Sequence, residues 1–286
     1  MSRTTVKSFL GLLLAIAVIL TAAPGQAHTL RVADGTYVDF FELIEELRGV
    51  RLVFMGEMHD NEGHHRAQLQ VIRALKEAGA PVVVGLEMIR RENQGALDLW
   101  VSGKMSEENF LKVYRQNWAM WPVYRDIFQY ARQEKVPLLG LNLSREITQQ
   151  VARNGFSSLS PHQMGELPMV RCDVDDRYQE FIRRSLGGHA QNGTQFLHFC
   201  EAQLLWDNVM AQTLLDYLDR HPDAIIVVLA GSGHAWKHGI PEQIRRRREV
   251  EMRVLLPEVP GRIDPGNITT AEADYLLQGV EEAPLH

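Results

Sequence analysis

The sequence predicts an α/β protein: a mainly parallel central sheet flanked by helices, with added helical segments forming a cap or side lobe. Three observations carry this. Five short segments are near-continuous apolar runs, RLVFM (51–55), PVVVGLE (81–87), VPLLGLN (136–142), AIIVVLAG (224–231) and EMRVLLP (251–257). Such runs mark strands buried on both faces, as in a parallel sheet. The stretches between them carry apolar residues at helical spacing, so strand and helix alternate in the doubly wound manner. Two of those stretches, 92–135 and 143–223, are too long for simple crossovers and are expected to add helices beyond the sheet.

In chain order, MSRTTVK carries Arg3 and Lys7 and is followed by FLGLLLAIAVIL and TAAPGQA. A charged start, an apolar run too short to span a bilayer and a small-residue end are the marks of a cleaved signal peptide. Cleavage is expected after Ala27, leaving 28–286 as a single α/β domain. No cysteine occurs in the first 30 residues, so no lipid anchor is expected. The first strand, RLVFM, leads into HHRAQLQVIRALKEAG, a helix ending at Gly79. After the second strand, SEENFLKVY opens with Ser106 before two acids, a helix N-terminal signal. YRDIFQYARQEK is a helix preceding the third strand. GFSSLSPHQMGELP (155–168) has turn residues and weak periodicity, and SLGGHAQNGTQ (185–195) reads as a loop. Residues 194–220 read as one long helix, apolar on more than half its surface and largely buried.

Composition narrows the function classes. Apolar residues make up 45% and charged residues 23% of the 286, which argues against disorder. The net charge of −6 gives no reason to expect a nucleic-acid partner. The one basic cluster, Arg245 to Arg248, is expected to be the wet face of a short helix after Pro241. Of the two cysteines, Cys172 and Cys200, the second sits in a strongly helical stretch. They could pair after export or stay separate thiols.

In open parallel sheets ligands bind outside the carboxyl ends of the strands. The first strand delivers Gly56, Glu57, His59 and Asp60 there, within the dense run FMGEMHDNEGHH (54–65). The second delivers Glu87, the third Asn142, and the fourth Gly231, Ser232, Gly233 and His234. Glu57, His59, Glu87 and His234 are therefore expected to share a pocket, with His64, Gln203 and Asp207 counted beside them. Two carboxylates and two imidazoles can hold a divalent metal or work as an acid/base set. The bland readings stand beside these. Glu57 and Glu87 could satisfy helix N-termini, and Asp60 or Asn61 could simply cap the next helix. Adjacent helical residues point about 100° apart, so at most one of His64 and His65 is expected to face the pocket. Trp118, Trp121 and Trp206 read as core.

The segments LVFMGEMHDNEGHHRAQLQVI, GLEM, LDLWVSG, YRDIFQYARQEKVPLLGLN, AQLLWDNVMA and GSGHAWKHGIP, taken in order, resemble the ChaN-like haem-binding uptake proteins of Gram-negative bacteria. These belong to a wider group with the erythromycin esterases and the Tiki/TraB proteins. The resemblance runs from about Val50 to Pro257. It implies haem binding at the cell envelope, a link to haem-iron acquisition through outer-membrane uptake machinery, and a homodimer enclosing haem with a tyrosine on the iron. Tyr114, Tyr124, Tyr178, His189 and His198 lie in the added helical segments and are the haem-ligand candidates. The missing lipobox departs from the family habit and points to a periplasmic or secreted form. The wider group implies the alternative: a hydrolase of esters or amides, metal-dependent or acid/base, using Glu57, His59, Glu87 and His234.

Overall fold

The computed structural model describes residues 27–167, 179–180, 182–183, 193–281 and 284–285. The leader, Cys172, Tyr178 and His189 lie outside the described residues, as does most of the expected loop at 185–195. One eight-stranded sheet runs in the order β2-β1-β8-β7-β3-β6-β4-β5. The five expected strands are all present and run parallel: β3 (Leu52–Glu57), β4 (Val82–Arg90), β5 (Leu138–Asn142) at one edge, β6 (Ile225–Gly231) and β7 (Met252–Pro257). β3 and β4 do not touch. β6, from far along the chain, lies between them, pairing Glu57 with Gly231 on one side and Leu86 with Leu229 on the other.

Three strands were not foreseen: β1 (His28–Arg31), β2 (Thr36–Val38) and β8 (Tyr275–Gln278). They extend the sheet beyond β7, and β1 pairs antiparallel with both neighbours. None exceeds four residues, and such short runs carry too little pattern to read.

The period of two along each strand sorts the core onto two faces. Val53, Met55, Val84, Leu86, Val227 and Leu229 pack with α1 (Phe40–Arg48), α2 (Glu62–Glu77), α3 (Gln94–Val101), α4 (Glu107–Asn117) and α5 (Trp121–Gln133). Leu52, Phe54, Val83, Ile226, Val228 and Ala230 pack against the long helix Thr194–Arg220, here α8, through its Leu204, Met210 and Leu214. Each buried Val, Leu, Ile, Phe or Met among these contributes about 1.5–3 kcal/mol relative to exposure.

Helix starts follow local chemistry. Asn61 accepts from the His64 amide at 3.2 Å and so starts α2. Ser106 does the same for α4 through the Asn109 amide at 3.3 Å. The side lobe of α3–α5 is locked by aromatic packing. Trp100 stacks on Phe110 with centroids 4.4 Å apart, and Trp121 meets the edge of Tyr114 at 5.0 Å. The described part of the 155–168 segment, residues 155–167, is more regular than expected. α6 (Arg145–Asn154) is followed by a 3₁₀ turn and by α7 (Pro161–Glu166), where Ser160 and Gln163 form a reciprocal capping box.

The basic run is spent on local partners. Arg245 and Arg246 pair with Glu242, Arg247 donates to Asn208 Oδ1 at 2.7 Å, and Arg248 pairs with Asp219. Cys200 is a buried thiol, and burial pushes it up to about 11. No helix among the described residues is long and apolar enough to cross a membrane.

Candidate functional site

β3 ends with Glu57 on the same face as Val53 and Met55, turned toward α2 and α5. This carboxylate is almost wholly buried and surrounded by donors. His59 Nδ1 lies 2.8 Å from Oε1, Gln68 Nε2 donates to Oε2 at 2.7 Å, and the Tyr124 hydroxyl donates to Oε1. His65 Nδ1 stands 3.4 Å from Oε2. Burial alone would raise the Glu57 carboxyl. The hydrogen bonds and charges of His59 and His65 outweigh burial and hold it well below the usual carboxylate range.

The charge on His65 follows from its neighbours. Its Nε2 faces the His59 carbonyl at 3.0 Å, and its Nδ1 faces Gln68 Oε1 at 3.0 Å. The Gln68 amide nitrogen is committed to Glu57, so its oxygen is what His65 meets. Both ring nitrogens therefore face acceptors, and only an imidazolium can donate twice. Burial opposes that charge, but Glu57 beside it raises the pKa of His65 above the ordinary histidine value.

β4 places Glu87 on the opposite face, in register with Val83. Glu87 Oε2 accepts from the Gly231 amide at 2.7 Å, which opens the short helical turn Ser232–Ala235. The expected role at a helix start and the expected role in a pocket thus meet in one carboxylate. His234, on that turn, has Nδ1 2.6 Å from Asp207 Oδ1 on α8 and Nε2 3.8 Å from Glu87 Oε1. Desolvation would lower this imidazole. Glu87 and Asp207 on either side instead push it up to about 9.

His59 lies past the end of β3 and spans the two clusters. Its Nδ1 is bound to Glu57, and its Nε2 stands 4.0 Å from Glu87 Oε1. About a third of its side chain is exposed, against a tenth or less for Glu57, Glu87 and His234. Gly231 makes room for it: a Cβ there would sit 3.1 Å from the His59 ring. Gly56 similarly lets Ser232 approach, and the Ser232 hydroxyl donates to the Glu57 carbonyl at 3.3 Å. Asn142 donates to the Glu87 carbonyl at 2.8 Å and so ties the end of β5 to β4.

The structure thus brings Glu57, His59, Glu87, His234 and Asp207 together, with Gly56, Asn142, Gly231, Ser232 and Gly233 around them. Three residues expected in the pocket lie elsewhere. Asp60 is exposed beyond the turn. Gln203, one helical turn before Asp207, makes no hydrogen bond to the cluster. His64 points away and is buried: its Nδ1 accepts from the Met58 amide at 2.9 Å, and its Nε2 lies 4.0 Å from Glu281. Burial pushes His64 down to about 4. It is His65, expected as the alternative of the pair, that reaches Glu57. The segment Val280–Glu281 lies over this helix start so tightly that a Cβ on Gly63 would collide with it.

The iron-ligand candidates are also placed. Tyr114 and Tyr124 are fully buried, and the Tyr124 hydroxyl is committed to Glu57. Burial raises both phenols far above the ordinary value. Neither presents an oxygen to a bound ligand in this conformation. His198 is half-buried, with Nδ1 3.2 Å from the Arg153 carbonyl and its ring against Gly155. Among the described residues, no group of three or more His, Cys, Asp or Glu is arranged to hold a metal ion. The expected divalent metal finds no ready cage, because the donors of the cluster are engaged with one another.

Two tryptophans read as core are in fact at the site. Trp118 sets its ring against the edge of His59 at 4.9 Å, and Trp206 against His234 at 5.7 Å. Both also line a pocket of about 400 Å³ with Met88, Arg90, Met120 and Arg145.

A mainly parallel sheet with an ionisable cluster at the carboxyl ends of its central strands defines an α/β protein with a polar site at the sheet edge. The family model described as haem-binding uptake, Tiki superfamily, ChaN matches residues 43–244, and the chain belongs to that family. Among solved structures, the chain is similar to ChaN of Campylobacter jejuni, described as showing cofacial haem binding, with 24% identity and a TM-score of 0.69 over 88% of this chain and 96% of that one. An erythromycin esterase in its open conformation aligns with 15% identity and a TM-score of 0.49 over 88% of this chain and 82% of that one. No curated protein matches the sequence.

Proposed function

We propose that this chain binds haem and takes part in haem-iron uptake at the Gram-negative cell envelope. Membership of the haem-binding uptake family over residues 43–244 is the observation that carries the reading. The leader-like start supports export to the periplasm or beyond. By analogy with the cofacial arrangement described for the Campylobacter jejuni protein, haem would sit between two copies of the chain, with outer-membrane uptake machinery as partner. Haem supplies the iron that is carried. The chain's own task is to hold the porphyrin and shield it.

The buried tyrosines do not suit the iron in this conformation, so the ligand is sought at the exposed edge rather than inside the lobe. A haemin titration of residues 28–286, followed by visible absorption, tests the reading. A saturable spectral shift at a simple ratio is expected. A flat or unsaturable titration overturns it.

A specific geometry favours a second reading, acid/base hydrolysis of an ester or amide. His65 and His234 are held as cations by their acids, whereas His59 keeps an exposed ring with Nδ1 fixed on Glu57. That arrangement leaves Nε2 to take a proton from water, with the His234 imidazolium beside it to stabilise a developing oxyanion. Hydrolysis of model esters that disappears in His59→Ala, in a protein that does not bind haemin, would favour it.

A further inference from the structure

We infer that the pocket beside the ionisable cluster receives the carboxylate-bearing edge of a flat apolar ligand, with Arg90 and Arg145 binding the carboxylates. Under the haem reading, on which this inference rests, that edge is the pair of propionates. The pocket lies where the α4–α5 turn faces the ends of β4 and β5 and the start of α6. Its wall is apolar and aromatic: Met88, Trp118, Met120, Leu143 and Trp206. Its volume of about 400 Å³ suits one edge of a porphyrin rather than the whole ring. The remainder would extend past Met58 and Met120, which are exposed at the same edge of the sheet.

The charged groups lining the pocket are both cationic, Arg90 and Arg145, beside the neutral Gln116, Asn117, Asn142 and Thr148. Arg90 gives its Nε to Asn117 Oδ1 at 3.0 Å, with Glu92 3.4 Å from the same nitrogen. Its two terminal nitrogens have no hydrogen-bond partner among the described residues. Arg145, in the first turn of α6, is exposed, and its guanidinium pairs with nothing among the described residues. A cation at a helix start is opposed by the helix dipole, so Arg145 weakens its own helix slightly where it stands. A bound carboxylate would relieve that. The Trp118 indole N–H is buried without a partner, a further donor that an incoming acceptor could satisfy. Arginine is the side chain suited to bidentate carboxylate recognition, and two of them match a dicarboxylate edge.

The test uses haemin and haemin dimethyl ester as probes on the full chain. Arg145→Ala is expected to weaken haemin binding about tenfold, and the double change Arg90→Ala with Arg145→Ala to weaken it further. The dimethyl ester, which has no carboxylate, should bind wild type and variants alike. Arg145→Lys should recover part of the loss. Saturable haemin binding that is unchanged in Arg145→Ala overturns the assignment while leaving haem binding intact. Absence of saturable haemin binding by the wild type overturns both.

Discussion

The two halves of the site are built in opposite senses. On the face carrying the side lobe, an acid sits among donors: Glu57 is held by His59, His65, Gln68 and Tyr124. On the face carrying α8, a base sits among acids: His234 is held between Asp207 and Glu87. In each half the helical partners come from one layer, His65, Gln68 and Tyr124 on the lobe side and Asp207 on α8, and His59 alone reaches from one half to the other. The difference shows how a fold can fix charge states by pairing each buried group with opposite charges or donors. Each buried charge is set by an opposite one on its own side, and His59, at the seam, is raised above the ordinary histidine value by both Glu57 and Glu87 against its burial.

The comparison can be broken most forcefully at Glu57. Glu57→Ala leaves the His65 cation buried with no counter-charge and should destabilise the fold by about 3–5 kcal/mol in urea unfolding. On the other face, Asp207→Asn keeps one hydrogen bond and leaves Glu87, so its cost should be smaller, about 1–3 kcal/mol. It should also bring the His234 imidazole back down from about 9, read by NMR titration of the ring protons.

A pH series separates the two histidines His234 and His64. His234 is raised from 6.5 to about 9, so its contribution is complete below pH 6.5 and is lost as pH rises through about 9. His64 is lowered from 6.5 to about 4, so its contribution is present above pH 6.5 and is lost as pH falls toward 4. The denaturation midpoint should therefore fall on both sides of neutrality. Asp207→Asn should flatten the alkaline limb alone, and His64→Gln should flatten the acid limb alone. The smallest effect is expected at Gly231→Ala, where a Cβ 3.1 Å from the His59 ring should cost about 1 kcal/mol or less yet shift the His59 titration.

The strand ends were legible because strands buried on both faces write themselves as apolar runs, and the first polar residue after each run marks the edge. Helical contributors were harder. His65 and His64 are adjacent, and which one faces Glu57 depends on the phase that Asn61 sets by capping α2. Tyr124 shares its buried stripe with Ile127 and Phe128. A phenol on such a stripe needs a hydrogen-bond partner, and that need was the available signal. Trp118 and Trp206 gave no such sign, since a tryptophan facing a pocket and one facing a core have the same neighbours in sequence. Arg90 lies past the strand segment read from sequence, in the extension of β4 beyond Glu87.

The position of β6 between β3 and β4 has a kinetic consequence. During synthesis β3 and β4 emerge early, but the strand that joins them follows roughly 170 residues after the end of β3. At about 5–20 residues per second the centre of the sheet stays unfilled for roughly ten seconds or longer. Two apolar edges are exposed to other chains over that interval, and Glu57 and Glu87 have no shared surroundings until it ends. Pairings so distant in sequence form slowly. The site therefore becomes complete late, when β6 fills the gap and brings the His234 half beside the Glu57 half already built from β3, α2 and α5.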